Sequence, residues 1–265
     1  MESPVSPVEF EKVAFSYPET RADIFKALDI RMPRGIVSLI GQNGSGKSTF
    51  LLLAAGNLLP THGTVRINGI DTRELRDEQE RQRHVSLIFQ NMEFETEEPV
   101  GDLLEYVYNG GFIEGKDREF LPRLIAVFEL GRFLHKRTQE ISKGELQRTI
   151  LAFSLLYGSR ILLMDEPIFA MEAYQKERAM EFLVSYTREN RITFYYSVHE
   201  LDITEKYCDY IMLFSKKRPP LLGAKEEIYT RDIIENAYEF PFALLKKKEA
   251  VYRAMLNEAS AAYRE

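Results

Sequence analysis

Residues 41–48 read G-Q-N-G-S-G-K-S, a spacing whose chemistry is the holding of a row of phosphates. Gly41, Gly44 and Gly46 allow a tight turn that aims successive backbone N–H groups inward at phosphate oxygens. Lys47 brings a cation to the β- and γ-phosphates, and the Ser48 hydroxyl is placed to bind Mg²⁺. Asn43, Ser45 and Thr49 complete the candidate nucleotide-binding set around the loop. A second group lies in I-L-L-M-D-E-P at 161–167, four apolar residues followed by two acids. Such a pair alone is an ordinary strand end. Beside a phosphate loop, Asp165 can hold the Mg²⁺ shell and Glu166 can accept a proton from a water attacking the γ-phosphate.

These residues need a strand before the loop, a helix behind it and a parallel strand beside it. I-V-S-L-I at 36–40 predicts a buried strand and 49–55 a helix, the context the loop requires. Residues 8–15 and 25–32 predict two further strands; 64–68, after a P-T-H-G turn, and 84–89 predict two more. Residues 91–145 are helix-rich, with helices over 102–108 and 120–128 and an acidic run at 93–98. Alternation then returns, with strands at 161–164, 192–198 and 210–214 and a helix over 173–189. The pattern is that of an α/β protein with a mainly parallel, helix-covered sheet. Ligands bind at the carboxyl ends of strands in such sheets, which brings Asp165 beside the loop. Pro219-Pro220 ends the pattern, and 220–265 reads as a charged helical tail.

A length of 265 residues fits one large domain, and a formal charge of −6 argues against a nucleic-acid protein. The single cysteine, Cys208, allows no internal disulfide and fits a reducing, cytosolic setting. The first ten residues lack the basic start and apolar core of a secretory signal, and no apolar run approaches the ~18 residues of a spanning helix.

Several further matches fall in one order, and with them the chain resembles the ATP-binding subunit of an ABC transporter over residues 8–240. Tyr17 precedes the phosphate loop where that family stacks an aromatic on adenine, and Gln90 ends S-L-I-F-Q where the family places a catalytic, metal-contacting glutamine. I-S-K-G-E at 141–145 matches the L-S-G-G-Q signature, and His199 in Y-Y-S-V-H-E matches the family's catalytic histidine. The resemblance implies a P-loop NTPase core with an N-terminal antiparallel β subdomain and an inserted helical subdomain, all within one ABC ATPase domain. It implies ATP and Mg²⁺ as ligands. It also implies a catalytic set of Lys47, Gln90, Glu166 and His199, a metal set of Ser48, Gln90 and Asp165, and a signature whose Ser142 and Gly144 contact the nucleotide of a second copy or related subunit. An integral membrane permease would be the other partner, holding the chain at the inner face of the cell membrane.

Two positions depart from the family pattern. Lys143 replaces the first signature glycine, where its cation either obstructs close backbone approach or adds favourable charge, and Glu172 replaces an aspartate in the loop after the acids. Glu93, Phe94, Tyr106, Tyr108 and Phe112 are candidates to line a groove for the permease, while Val251, Met255, Leu256 and Ala259 suggest a packed final helix over 246–265. The alternatives are a soluble ABC-type ATPase outside transport, or a nucleotide-gated binding module with little turnover. A GTPase is disfavoured because no N-K-x-D motif is present, and a small-molecule kinase is disfavoured by the signature segment.

Overall fold

A computed structural model describes residues 5–19, 23–90, 92–113 and 117–247. Among these the strands are β1 (Val8–Ser16), β2 (Asp23–Arg31), β3 (Ile36–Gly41), β4 (His62–Ile67), β5 (Ile70–Asp71), β6 (Val85–Ile88), β7 (Ile161–Asp165), β8 (Thr193–Ser197), β9 (Tyr210–Phe214) and β10 (Leu221–Ala224). The helices are α1 (Lys47–Ala54), α2 (Glu78–His84), α3 (Val100–Gly110), α4 (Phe120–Val127), α5 (Lys143–Tyr157), α6 (Ala173–Glu189), α7 (Leu201–Tyr207), α8 (Lys225–Ile228) and α9 (Arg231–Tyr238).

A six-stranded sheet runs in the order β10-β9-β3-β8-β7-β6, parallel except for β10, and an antiparallel sheet runs β2-β1-β4-β5. The central strands are apolar at nearly every position because both faces are covered. In β3, Ile36 and Ile40 face the core shared with the helices, while Val37 and Leu39 face the core shared with the antiparallel sheet. Helix α1 fills the space between the two sheets. Its Phe50 stacks on Phe10 of the antiparallel sheet at 4.5 Å and meets Phe214 of the larger sheet edge-on at 5.8 Å. The helix that carries the phosphate loop is therefore anchored from both sides.

Three features differ from the sequence expectations. The tail from residue 220 begins as a strand, because L-L-G-A pairs along the edge of β9 through Leu221 and Met212's neighbour Leu213. The helical run does not stop at 145, since α5 continues to Tyr157. Helix α2 had no apolar periodicity to announce it: it buries no residue and is held by its cap, where Glu80 N–H donates to Asp77 Oδ1 at 2.8 Å, and by Ser159 Oγ–H, which donates to the Gln82 carbonyl oxygen. The expected final helix with Val251, Met255, Leu256 and Ala259 lies outside the described residues.

Candidate active site

The loop leaves β3 at Gly41 and enters α1 at Lys47, with Gly46 as the helix cap. Gly41 has no room for a side chain: at φ +142° an added Cβ would lie 2.3 Å from the Phe214 carbonyl oxygen. Lys47 is buried, and its Nζ donates to the carbonyl oxygens of Gly41 at 2.9 Å and Gln42 at 3.1 Å. Burial pushes the Lys47 ammonium below the usual lysine range, partly offset by the negative charges of Asp165 and Glu166. Asn43, Gly44 and Ser48 stand exposed on the same loop. Ser45 Oγ is buried without a hydrogen-bond partner among the described residues. Tyr17 is drawn to this helix, its hydroxyl 3.2 Å from Thr49 Oγ1 and its ring edge-on to Phe15.

The paired acids arrive at the end of β7. Asp165 is 4 % exposed and accepts a hydrogen bond from Ser197 Oγ, whose strand places Ser197 directly opposite Asp165. The same Ser197 Oγ accepts the Glu166 N–H at 3.0 Å. Glu166 has φ +52°, a left-handed conformation unusual for a residue with a side chain. Its carboxylate meets His199, Oε1 to Nε2, at 2.6 Å. Gln90 lies two residues past β6, exposed, and because Ile88 pairs with Met164 the chain leaves the sheet alongside the two acids. Lys47, Asp165, Glu166 and His199 thus form one cluster, with Gln90 at its rim.

The donor set suits a triphosphate and its metal. It offers a turn of backbone amides, a buried cation, an unsatisfied hydroxyl at Ser45, an exposed hydroxyl at Ser48 and a buried carboxylate at Asp165.

Ser142 and Gly144 gather elsewhere, at the start of α5. Ser142 N–H and Oγ–H both donate to Glu145 Oε2, at 2.8 and 2.9 Å, and Glu145 N–H donates back to Ser142 Oγ at 3.3 Å. Burial works to raise the Glu145 carboxyl, but the Ser142 bonds outweigh it and hold the group below the usual range. Gly144 packs so close to the turn after the acids that a Cβ there would lie 2.7 Å from Ala170 O, and Gln147 Nε2 donates to Pro167 O at 3.0 Å. Lys143 is turned to the surface, where its exposed ammonium pairs with Glu93 at 3.2 Å. Glu172 caps α6, its N–H donating to Gln175 Oε1 at 3.2 Å.

Of the five groove candidates only Glu93 lines the shallow depression at the start of α5, with Met92, Lys143, Leu146, Gln147, Phe169 and Ala170. Phe94 packs inward against Phe153, Tyr108 donates to Asp117 O, Phe112 lies under Arg83, and Tyr106 is 78 % exposed. Sequence reasoning missed Ser197, for which a serine closing the buried run T-F-Y-Y was the one available signal. Gln147 is marked in the sequence only as part of the L-Q-R run that follows the signature, and its bond to Pro167 O gives it a place in the fold.

Strand order, phosphate loop and paired acids define a P-loop nucleoside triphosphatase. The family model described as ABC transporter matches residues 25–169, and the chain belongs to that family. A relative from Archaeoglobus fulgidus, provisionally named ABC transporter ATP-binding protein, is 30 % identical over 236 residues, covering 87 % of this chain and 96 % of its own. A cobalamin import ATP-binding protein of Halobacterium salinarum is 27 % identical, over 77 % of this chain and 52 % of its own. A dimeric ATP-binding cassette solved in a post-hydrolysis state with ADP and Pi is similar with a TM-score of 0.72 at 22 % identity, covering 82 % of this chain and 98 % of that one. The chain is an ABC-type ATPase.

Proposed function

We propose that this chain is the ATP-hydrolysing subunit that energises movement of a solute through a partner membrane permease. The observation that carries the reading is the Glu166–His199 contact at 2.6 Å, beside the buried Lys47. Glu166 is the general base for the attacking water, and His199 orients its carboxylate and steadies the γ-phosphate. Lys47 and the loop amides bind the phosphates, and Tyr17 stacks on the adenine. Ser48, Asp165 and Gln90 would hold Mg²⁺, which when bound neutralises charge on the phosphate oxygens. Ser142 and Gly144 close on the nucleotide of a second copy or a related subunit, so that binding and hydrolysis alternately join and release the pair.

No described helix is long and apolar enough to cross a membrane. Work on a solute would therefore be delivered through a membrane partner at the inner face of the cell membrane, a role supported by the import named for the Halobacterium salinarum relative. Mild-detergent affinity purification from native cells, followed by mass spectrometry, tests this. A multi-spanning permease should co-purify in stoichiometric amount. Recovery of soluble partners alone, with membrane extraction verified, would move the chain to ATPases that act outside transport.

A further inference from the structure

The phosphate loop has a second support, nearly two hundred positions away along the sequence. Tyr238, the last residue of α9, grips it through two atoms. Gly41 N–H donates to the Tyr238 hydroxyl at 3.0 Å, and Gln42 Nε2 donates to the Tyr238 carbonyl oxygen at 2.5 Å. Gly41 and Gln42 are the same two residues whose carbonyl oxygens hold Lys47 Nζ. The base of the loop is thus held by the C-terminal segment on one side and by its own lysine on the other. Gly41 is buried, and a Cβ on it would lie 2.3 Å from the Phe214 carbonyl oxygen.

The segment that carries Tyr238 is tied down on both sides of that residue. Glu239, the next residue, pairs with Lys217 at 2.6 Å. Within the segment, Glu235 Oε1 accepts from Arg231 Nε at 3.0 Å and from Phe242 N–H at 2.8 Å. Lys246 then ties the segment to α7, the helix that follows His199, through Asp202 and Glu205. Tyr229 adds a bond from its hydroxyl to Leu201 O at 3.2 Å. One segment therefore connects the base of the phosphate loop to the helix behind the histidine.

We infer that Tyr238 is a positioning residue for ATP binding: its hydroxyl and carbonyl fix Gly41 and Gln42, and through them the loop amides and Lys47, in the geometry that receives the phosphates. The inference rests on the ATPase reading. A buried N–H that loses its acceptor is costly, and here that cost would fall on the shape of the binding loop.

The test uses the full chain and the variants Tyr238→Phe and Gln42→Ala, with Mg-ATP binding followed by a fluorescent ATP analogue, steady-state hydrolysis and thermal unfolding. Tyr238→Phe keeps the ring and removes only the hydroxyl. It should raise the Kd and KM for ATP about tenfold, the effect of about 1.4 kcal/mol, while kcat falls by less than about twofold. Gln42→Ala should weaken ATP in the same way, and the double variant should lose less than the product of the single effects, because both act on one loop geometry. A Tyr238→Phe chain that binds ATP as tightly as the parent, or that shows only a lower Tm with unchanged KM, would overturn the role of Tyr238 alone. A parent chain that binds no ATP would overturn the ATPase reading, and this inference with it.

Discussion

Glu166 occupies a left-handed backbone conformation, φ +52°, in the turn that follows β7. That conformation costs about 1–3 kcal/mol for a residue with a Cβ and persists only where its surroundings hold it. Here two bonds hold it, Glu166 N–H to Ser197 Oγ and the carboxylate to His199. Glu166→Gln preserves the shape and removes the base, so hydrolysis should fall at least about a hundredfold while ATP binding is retained. A steady-state assay beside a binding titration checks both halves, and unchanged turnover would remove Glu166 from the chemistry. Ser197→Ala acts on the same turn from behind. It takes a donor from the buried Asp165 and an acceptor from Glu166 N–H, so we expect a stability loss of about 1–3 kcal/mol in denaturant unfolding together with slower turnover. A variant as stable and as fast as the parent would show Ser197 to be a bystander.

At the scale of elements, the central strands were legible because apolar runs bounded by turn residues admit little else. The 161–164 strand and the 173–189 helix were anticipated nearly to the residue, as was the strand over 210–214. Helix α2 was not legible, since an all-polar helix that buries no residue has no periodicity to display, and β10 was hidden by the two prolines before it. The phosphate loop was legible because glycine spacing and a lysine leave few other uses. Ser197 and Tyr238 were not, because each acts across a distance that only folding closes. The Lys143–Glu93 pair belongs to this scale too. It ties the start of α5 to the segment after Gln90, and both side chains are exposed, so the bond is worth at most about 1 kcal/mol. Lys143→Gly should release that restraint and raise turnover by about two- to fivefold. Equal ATPase rates would show that the pair restrains nothing that limits hydrolysis.

Across the whole molecule, the two halves of the proposed chemistry face different neighbours. Lys47, Asp165, Glu166 and His199 cluster at the ends of β3, β7 and β8, while Ser142 and Gly144 pack with Glu145 and Ala170 at the start of α5. Cys208, buried just past the end of α7, offers a probe that leaves both undisturbed. Burial pushes its thiol up to about 12, and its Sγ–H donates to Thr204 O, so at pH 8 almost no thiolate is present. Thiol reagents should label the native chain only as fast as it opens, and rapid native labelling would contradict the packing described here. In the proposed function the two halves meet only when a second copy or a related subunit comes alongside. Each signature serine is held by Glu145 in the single chain, and a phosphate arriving from a partner must draw that hydroxyl or the adjacent amides toward itself. ATP held without hydrolysis should therefore lock two chains together. Sedimentation of Glu166→Gln with Mg-ATP should show a dimer, and the same variant with Mg-ADP a monomer, because the γ-phosphate supplies the contact. Ser142→Ala in the Glu166→Gln background should weaken that dimer while leaving ATP binding to each chain intact. A dimer that forms equally with ADP, or that ignores Ser142, would mean that the copies meet through some other face.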